Sequence, residues 1–147
     1  MFSNFLVPFD GSQSAYTAVN TAIEVGAGEN INITILQVQR MNDNDITTFD
    51  VAAKLANLAE ADKTDSQPKA SKQSFIQEYF DSLGDNVNIS IVVERGNPAD
   101  VICQYARDNQ LDCIVMGRRG IGGIRAVLGS VSTAVLRDSD LPILVVK

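Results

Sequence analysis

The chain has 147 residues, enough for one domain, and its 45% hydrophobic and 20% charged residues are typical of a globular protein. Its net charge of −6 predicts a protein that does not bind nucleic acid. No apolar stretch approaches the roughly 20 residues of a membrane span, so we expect a cytoplasmic protein without membrane contact. Because the chain contains no histidine, Ser-His-Asp and Cys-His catalysis and histidine-based zinc sites are excluded.

The first half of the chain alternates short apolar runs with amphipathic segments. The run from Phe5 to Phe9 predicts a strand, and Asp10-Gly11-Ser12 predicts a turn into a helix that ends near Gly26. Residues 31–38 alternate apolar and polar side chains and predict a second strand. The polar residues 39–49 then predict a surface loop and a candidate lid.

A helical pattern starts near Asp50 and breaks around Pro68, so it forms either one interrupted helix or two short ones. Residues 87–93 predict a third strand. Asn97 and Pro98 then supply the cap and first residue of a helix that ends near Asn109.

Residues 114–116 predict the fourth strand and residues 142–146 the fifth, separated by a glycine-rich loop and a helix that Ser130 is expected to cap. Such alternation of buried strands and amphipathic helices predicts a parallel sheet covered by helices on both faces. Ligands of these sheets bind at the carboxyl ends of the strands. The two cysteines, Cys103 and Cys113, lack metal-site spacing and are expected to be buried structural thiols.

The loop from Gly117 to Gly129 is the most informative segment for function. Four glycines in its first seven residues allow backbone amides to converge, and Gly129-Ser130 begins a helix whose free N–H groups attract an anion. Arg118, Arg119 and Arg125 concentrate positive charge there, so we expect Arg118 and Arg119 to contact a phosphate. The alternative is a mobile loop whose arginines are merely solvated.

The glycine spacing resembles the motif of the universal stress protein family. That motif has Gly, two residues, Gly, nine residues, Gly and then Ser or Thr, whereas only eight residues separate Gly120 from Gly129 in this chain. The turn Asp10-Gly11-Ser12, the segment Gly96-Asn97-Pro98 and the last strand are similar to other family landmarks, so the likeness covers the whole chain. It implies one domain over residues 1–147, a doubly wound, Rossmann-like sheet of strand order 3-2-1-4-5.

The resemblance also implies an ATP site, with Mg²⁺ held mainly through the phosphates. Adenine would lie near Pro8, Asp10 and Val38, and ribose near Met116, Gly117 and Gly120. The phosphates would lie against four consecutive residues at a helix start, namely Gly129, Ser130, Val131 and Ser132. Asp10 could equally serve as a turn residue, and Ser12, which we include in the site, is expected to cap a helix first.

These features favour an ATP-binding regulatory or stress-response protein with little turnover, at most slow ATP hydrolysis or self-phosphorylation. One alternative is a nucleotide-free dimeric interaction protein in which the shortened loop excludes phosphates. Another is an enzyme that transfers adenylate or phosphate. We also expect a homodimer through the apolar last strand, Ile143, Leu144, Val145 and Val146, which would otherwise leave an unprotected sheet edge.

Overall fold

The computed structural model describes residues 2–62, 72–118 and 129–147. The strands are β1 (Asn4–Pro8), β2 (Ile31–Gln39), β3 (Val87–Arg95), β4 (Cys113–Gly117) and β5 (Ile143–Val146). The helices are α1 (Gln13–Val25), α2 (Thr48–Ala61), α3 (Lys72–Asp81), α4 (Pro98–Asp108) and α5 (Ser130–Asp138). Among the described residues, no helix combines the length and apolar character needed to cross a bilayer.

All strand pairs are parallel, and the sheet has the order β3-β2-β1-β4-β5, which confirms the predicted fold class and strand order. Alternate residues of β1 point to opposite faces. Phe5 and Val7 join a core cluster with α1, α2 and α3, whereas Leu6 joins a second cluster with α4 and α5. The alternation of side chains along a central strand therefore divides one hydrophobic core into two layers.

The sequence allowed either one interrupted helix or two short ones after the second strand. The structure has two helices there, α2 and α3, while Pro68 lies outside the described residues. Helix α2 begins at Thr48 and not near Asp50, because Thr47 and Asp50 form a capping box. The predicted ends of β2 and β3 were also too early. These strands pair as far as Gln39 and Arg95, so the loop after β2 begins at Arg40.

Cys103 in α4 and Cys113 in β4 are both free and buried, which confirms their interpretation as structural thiols. Burial is the main cause that raises the pKa of each thiol above its ordinary value. Both groups therefore remain protonated and unreactive at neutral pH.

The amino end of the sheet carries a row of bonded side chains, which we call the asparagine ladder: Asn88, Asn32, Asn4 and Asp112. The Asn88 amide donates to Asn32 Oδ1 (3.1 Å), and the Asn32 amide donates to Asn4 Oδ1 (3.0 Å). Asp112 Oδ2 accepts from the backbone N–H of Asn4 (2.9 Å) and Ser3 (3.0 Å). The ladder follows the register of β1, β2 and β3, in which the three asparagines are direct partners.

Candidate functional site

A cleft of about 540 Å³ opens at the opposite, carboxyl edge of the sheet. Its volume lies within the range of small-molecule sites. Described residues that line it come from β1, β2 and β4, from the segments that follow β1 and β2, and from the starts of α1, α4 and α5. They are Pro8, Phe9, Asp10, Ser12, Ala15, Leu36, Val38, Arg40, Asp43, Pro98, Ile102, Met116, Gly117, Gly129, Ser130, Val131 and Ser132.

Ten of the residues proposed from the sequence meet in this cleft: Pro8, Asp10, Ser12, Val38, Met116, Gly117, Gly129, Ser130, Val131 and Ser132. Arg118 is described but does not belong to the lining. Arg119 and Gly120 lie outside the described residues, as does the eight-residue segment before Gly129. The structure therefore gathers both ends of the glycine-rich loop at one edge of the sheet.

The turn after β1 uses its polar side chains to start a helix. Asp10 Oδ1 accepts from the N–H of Ser12 (3.0 Å), and Ser12 Oγ accepts from the N–H of Ala15 (3.1 Å) as the cap of α1. Gly11 supplies the positive φ of +84° that this turn needs. The structural roles expected for Asp10 and Ser12 are thus present, while both residues also line the cleft.

Gly117, at the end of β4, is required by close packing. A Cβ at this position would lie 2.0 Å from Ser14 Oγ and 2.9 Å from the Ser14 carbonyl carbon. Because backbone cannot move aside cheaply, any side chain would push α1 away from the sheet. The glycine therefore fixes how near α1 comes to the floor of the cleft.

The two ends of the glycine-rich loop are joined by backbone hydrogen bonds. The N–H of Gly129 donates to the carbonyl of Arg118 (2.8 Å), whose own N–H donates to Val146 (2.8 Å) in β5. The Ser132 hydroxyl also donates to the carbonyl of Gly117 (2.9 Å). These bonds fix the start of α5 against the end of β4.

Helix α5 begins without a side-chain cap. Its N-cap is Gly129 and Ser130 is its first helical residue, so the expectation that Ser130 caps the helix was wrong. Gly129 is the cap because it has an extended backbone and its carbonyl accepts the first helical hydrogen bond, from the N–H of Thr133. By contrast, Ser12, Thr47 and Asn97 cap α1, α2 and α4 with their side chains.

The missing cap leaves backbone donors at the cleft. The N–H groups of Ser130, Val131 and Ser132 lie in the first turn of α5, where an α-helix provides no carbonyl partner. The Ser132 hydroxyl already donates its proton to the Gly117 carbonyl, so the backbone N–H of Ser132 is the donor that this residue can offer to an anion. Together with the helix dipole, these donors form an electrostatically favourable place for a phosphate.

Several lining residues were not identified from the sequence. Arg40 and Asp43 belong to the segment predicted as a surface loop and candidate lid, and Leu36 lies inside β2. Pro98 and Ile102 come from the first turns of α4, because a parallel sheet brings the start of each following helix to the same edge. That rule could have identified Pro98, which was already predicted to begin a helix.

The described residues contain no cluster of three or more His, Cys, Asp or Glu side chains that could hold a metal ion. Among the described residues that line the cleft, the acidic ones are Asp10 and Asp43. Asp10 already accepts a hydrogen bond within its own turn.

Comparison with known proteins agrees with this architecture. The family model described as the universal stress protein family matches residues 1–147. The chain is 26% identical to the universal stress protein YxiE of Bacillus subtilis, with 100% of both chains covered. It is 25% identical to the solved structure of the universal stress protein UspA from Lactobacillus plantarum, with a TM-score of 0.70 and coverage of 99% and 98%.

A further structural match is a universal stress protein family protein from Arabidopsis thaliana, solved with AMP bound. It has a TM-score of 0.61 and 20% identity, and covers 99% of this chain and 91% of its own. This likeness supports the fold. The match of the family model over the full length, together with the sheet order and the cleft at its carboxyl edge, shows that the chain belongs to the universal stress protein family.

Proposed function

We propose that this protein binds ATP in the cleft and acts as a regulatory stress-response protein with little or no turnover. The observation that carries the proposal is the start of α5, which has no side-chain cap and whose first-turn residues line a cleft of about 540 Å³. A nucleotide phosphate would supply the missing acceptor. The AMP-bound relative supports an adenine nucleotide as the class of ligand.

The residues that line the cleft offer partners for each part of such a nucleotide. The phosphates would accept from the amides of Ser130, Val131 and Ser132, and the base would lie toward Val38 and the apolar side chains of Leu36 and Ile102. Mg²⁺ would be held mainly through phosphate oxygens, as is usual for this ion. ATP would then act by its occupancy, which stabilises the folded form to which it binds.

Thermal unfolding with and without Mg²⁺-ATP tests this proposal. At a hundredfold excess over the dissociation constant, binding stabilises the folded state by about 2.7 kcal/mol, which corresponds to a rise of about 5–10 °C in Tm for a chain of this size. AMP should give a smaller shift, because it offers fewer phosphate oxygens to α5. No shift at millimolar ATP would favour the nucleotide-free interaction protein.

We further propose a homodimer built on β5. This strand forms one edge of the sheet, and Leu144 exposes 37% of its surface there. Pairing with the same strand of a second copy would cover this apolar edge and continue the sheet across the two copies. Light scattering at micromolar concentration should give twice the chain mass, and Val145→Lys should reduce it to one chain mass. A monomeric wild type would contradict this proposal.

A further inference from the structure

The sheet order gives a bound nucleotide a direction, if ATP occupies the cleft as proposed above. Strands β2 and β4 flank β1, and the uncapped start of α5 follows β4. Neighbouring strands lie about 4.8 Å apart, so the ends of β2 and β4 are separated by about 10 Å. Phosphates held at α5 therefore place the base beside the end of β2, where Val38, Arg40 and Asp43 line the cleft.

One side chain holds the loop that carries Arg40 and Asp43. Arg95, the last residue of β3, donates through Nη1 to the carbonyls of Arg40 (3.0 Å), Met41 (3.0 Å) and Asp43 (3.1 Å). Its Nη2 also forms an ion pair with the carboxylate of Asp45. The guanidinium suits this task because its several donors have a fixed planar geometry.

Bonds within the loop complete the arrangement. The N–H of Arg40 donates to Asp43 Oδ2 (3.1 Å), and the N–H of Ile46 donates to Oε1 of the buried Gln39 (2.7 Å). The N–H of Gly96 donates to the carbonyl of Gln39 (2.9 Å). Residues 40–46 are thus held by several hydrogen bonds, and two of them, Arg40 and Asp43, line the cleft.

We propose that Arg95 is a positioning residue for the base of the nucleotide. It does not line the cleft itself, and it acts by holding the loop that presents Arg40 and Asp43. Without the guanidinium, three carbonyls and the Asp45 carboxylate lose their common donor. Binding would then have to order the loop, which weakens affinity.

The test is a set of ATP titrations by calorimetry on the full chain. Arg95→Met should weaken ATP binding about tenfold, because ordering the Arg40 and Asp43 side chains becomes part of binding. Arg95→Lys should be intermediate, since an ammonium replaces some of the donors without the fork. The matched control is Arg107→Met, which removes an exposed arginine of α4 that bonds to Gln104 and should leave affinity unchanged.

A second set of variants separates positioning from a general loss of structure. The double variant Arg40→Ala/Asp43→Ala should also bind ATP weakly, and adding Arg95→Met to it should cause no further loss. A full additional tenfold loss would show that Arg95 acts through another route and would overturn the inference. Unchanged affinity in Arg95→Met would do the same. If the wild type does not bind ATP, the proposed function fails first, and this inference with it.

Discussion

At the amino end of the sheet, the asparagines of three neighbouring strands bond to one another, whereas at the carboxyl end the start of α5 has no side-chain cap and lies at the cleft. The asparagine ladder runs from β3 to β1 and ends on Asp112. At the other end, Gly129 offers no side chain and α5 starts uncapped. The amino end of the sheet is thus closed by side-chain bonds, whereas the first turn of α5, with its backbone donors, lies at the opposite end beside the cleft.

The largest expected effect is on binding at the carboxyl end. Gly129→Val should weaken ATP binding by about a hundredfold or more, because the side chain would occupy the space beside the amides of Ser130 and Val131. Gly129 has φ −62° and ψ 157°, a conformation that valine adopts readily, so the variant should still fold. Calorimetric titration, after circular dichroism has shown a folded chain, measures this loss.

The matched control is Gly28→Val, in the turn before β2 at the amino end. A Cβ there would meet nothing within 4 Å, but the backbone has φ +91°, so valine introduces strain alone. We expect lower stability, by about 1–3 kcal/mol, and unchanged ATP affinity. Equal loss of affinity in both variants would mean that binding depends on general stability and that the two ends are not functionally distinct.

Part of the carboxyl end of this contrast could be predicted from the sequence. The apolar runs and turn signals predicted every strand, the family resemblance implied the sheet order, and Gly129-Ser130 predicted a helix start there, although with Ser130 as its cap. The asparagine ladder was not predicted, because it depends on the register of β1, β2 and β3. Arg95 could not be found in this way, since its partners lie 50 to 55 residues earlier in the chain. They become neighbours only through the pairing of Gln39 with Arg95 in the sheet, which no local pattern specifies.

A smaller effect is expected in the pH dependence of stability at the amino end. Hydrogen bonds from the backbone N–H of Ser3 and Asn4 hold the pKa of Asp112 below its ordinary value. A carboxyl whose folded pKa is below its unfolded pKa stabilises the protein above the unfolded value, about 3.9, and loses this contribution as the pH falls through the folded value.

We therefore predict that Asp112→Asn lowers the free energy of unfolding by about 1 kcal/mol at pH 6, and that the difference from wild type shrinks below about pH 4. Urea unfolding at several pH values measures it. Asp138→Asn is the control, because Arg137 also lowers the pKa of Asp138 but both side chains are exposed, so solvent screens the pair. A constant difference across the pH range would show that the Asp112 charge does not matter.

The smallest expected effect concerns the exposed part of the ladder, and it tests whether its bonds act together. Asn32 bonds on both sides, to Asn4 and Asn88, whereas Asn88 bonds within the ladder to Asn32 alone. Replacing Asn32 with alanine should therefore lower the free energy of unfolding more than replacing Asn88. Both decreases should stay below about 1 kcal/mol because water competes for exposed amides.

Asparagine is also a poor strand residue, so the change to alanine could hide part of each decrease in stability. A double-mutant cycle removes that difficulty, since strand preference enters each single variant and cancels in the coupling term. We expect a coupling of a few tenths of a kcal/mol between Asn32 and Asn88, with ATP affinity the same in all four proteins. Zero coupling would mean that the asparagines are only neighbours in register, and that the amino end is closed by the backbone and Asp112 without the ladder.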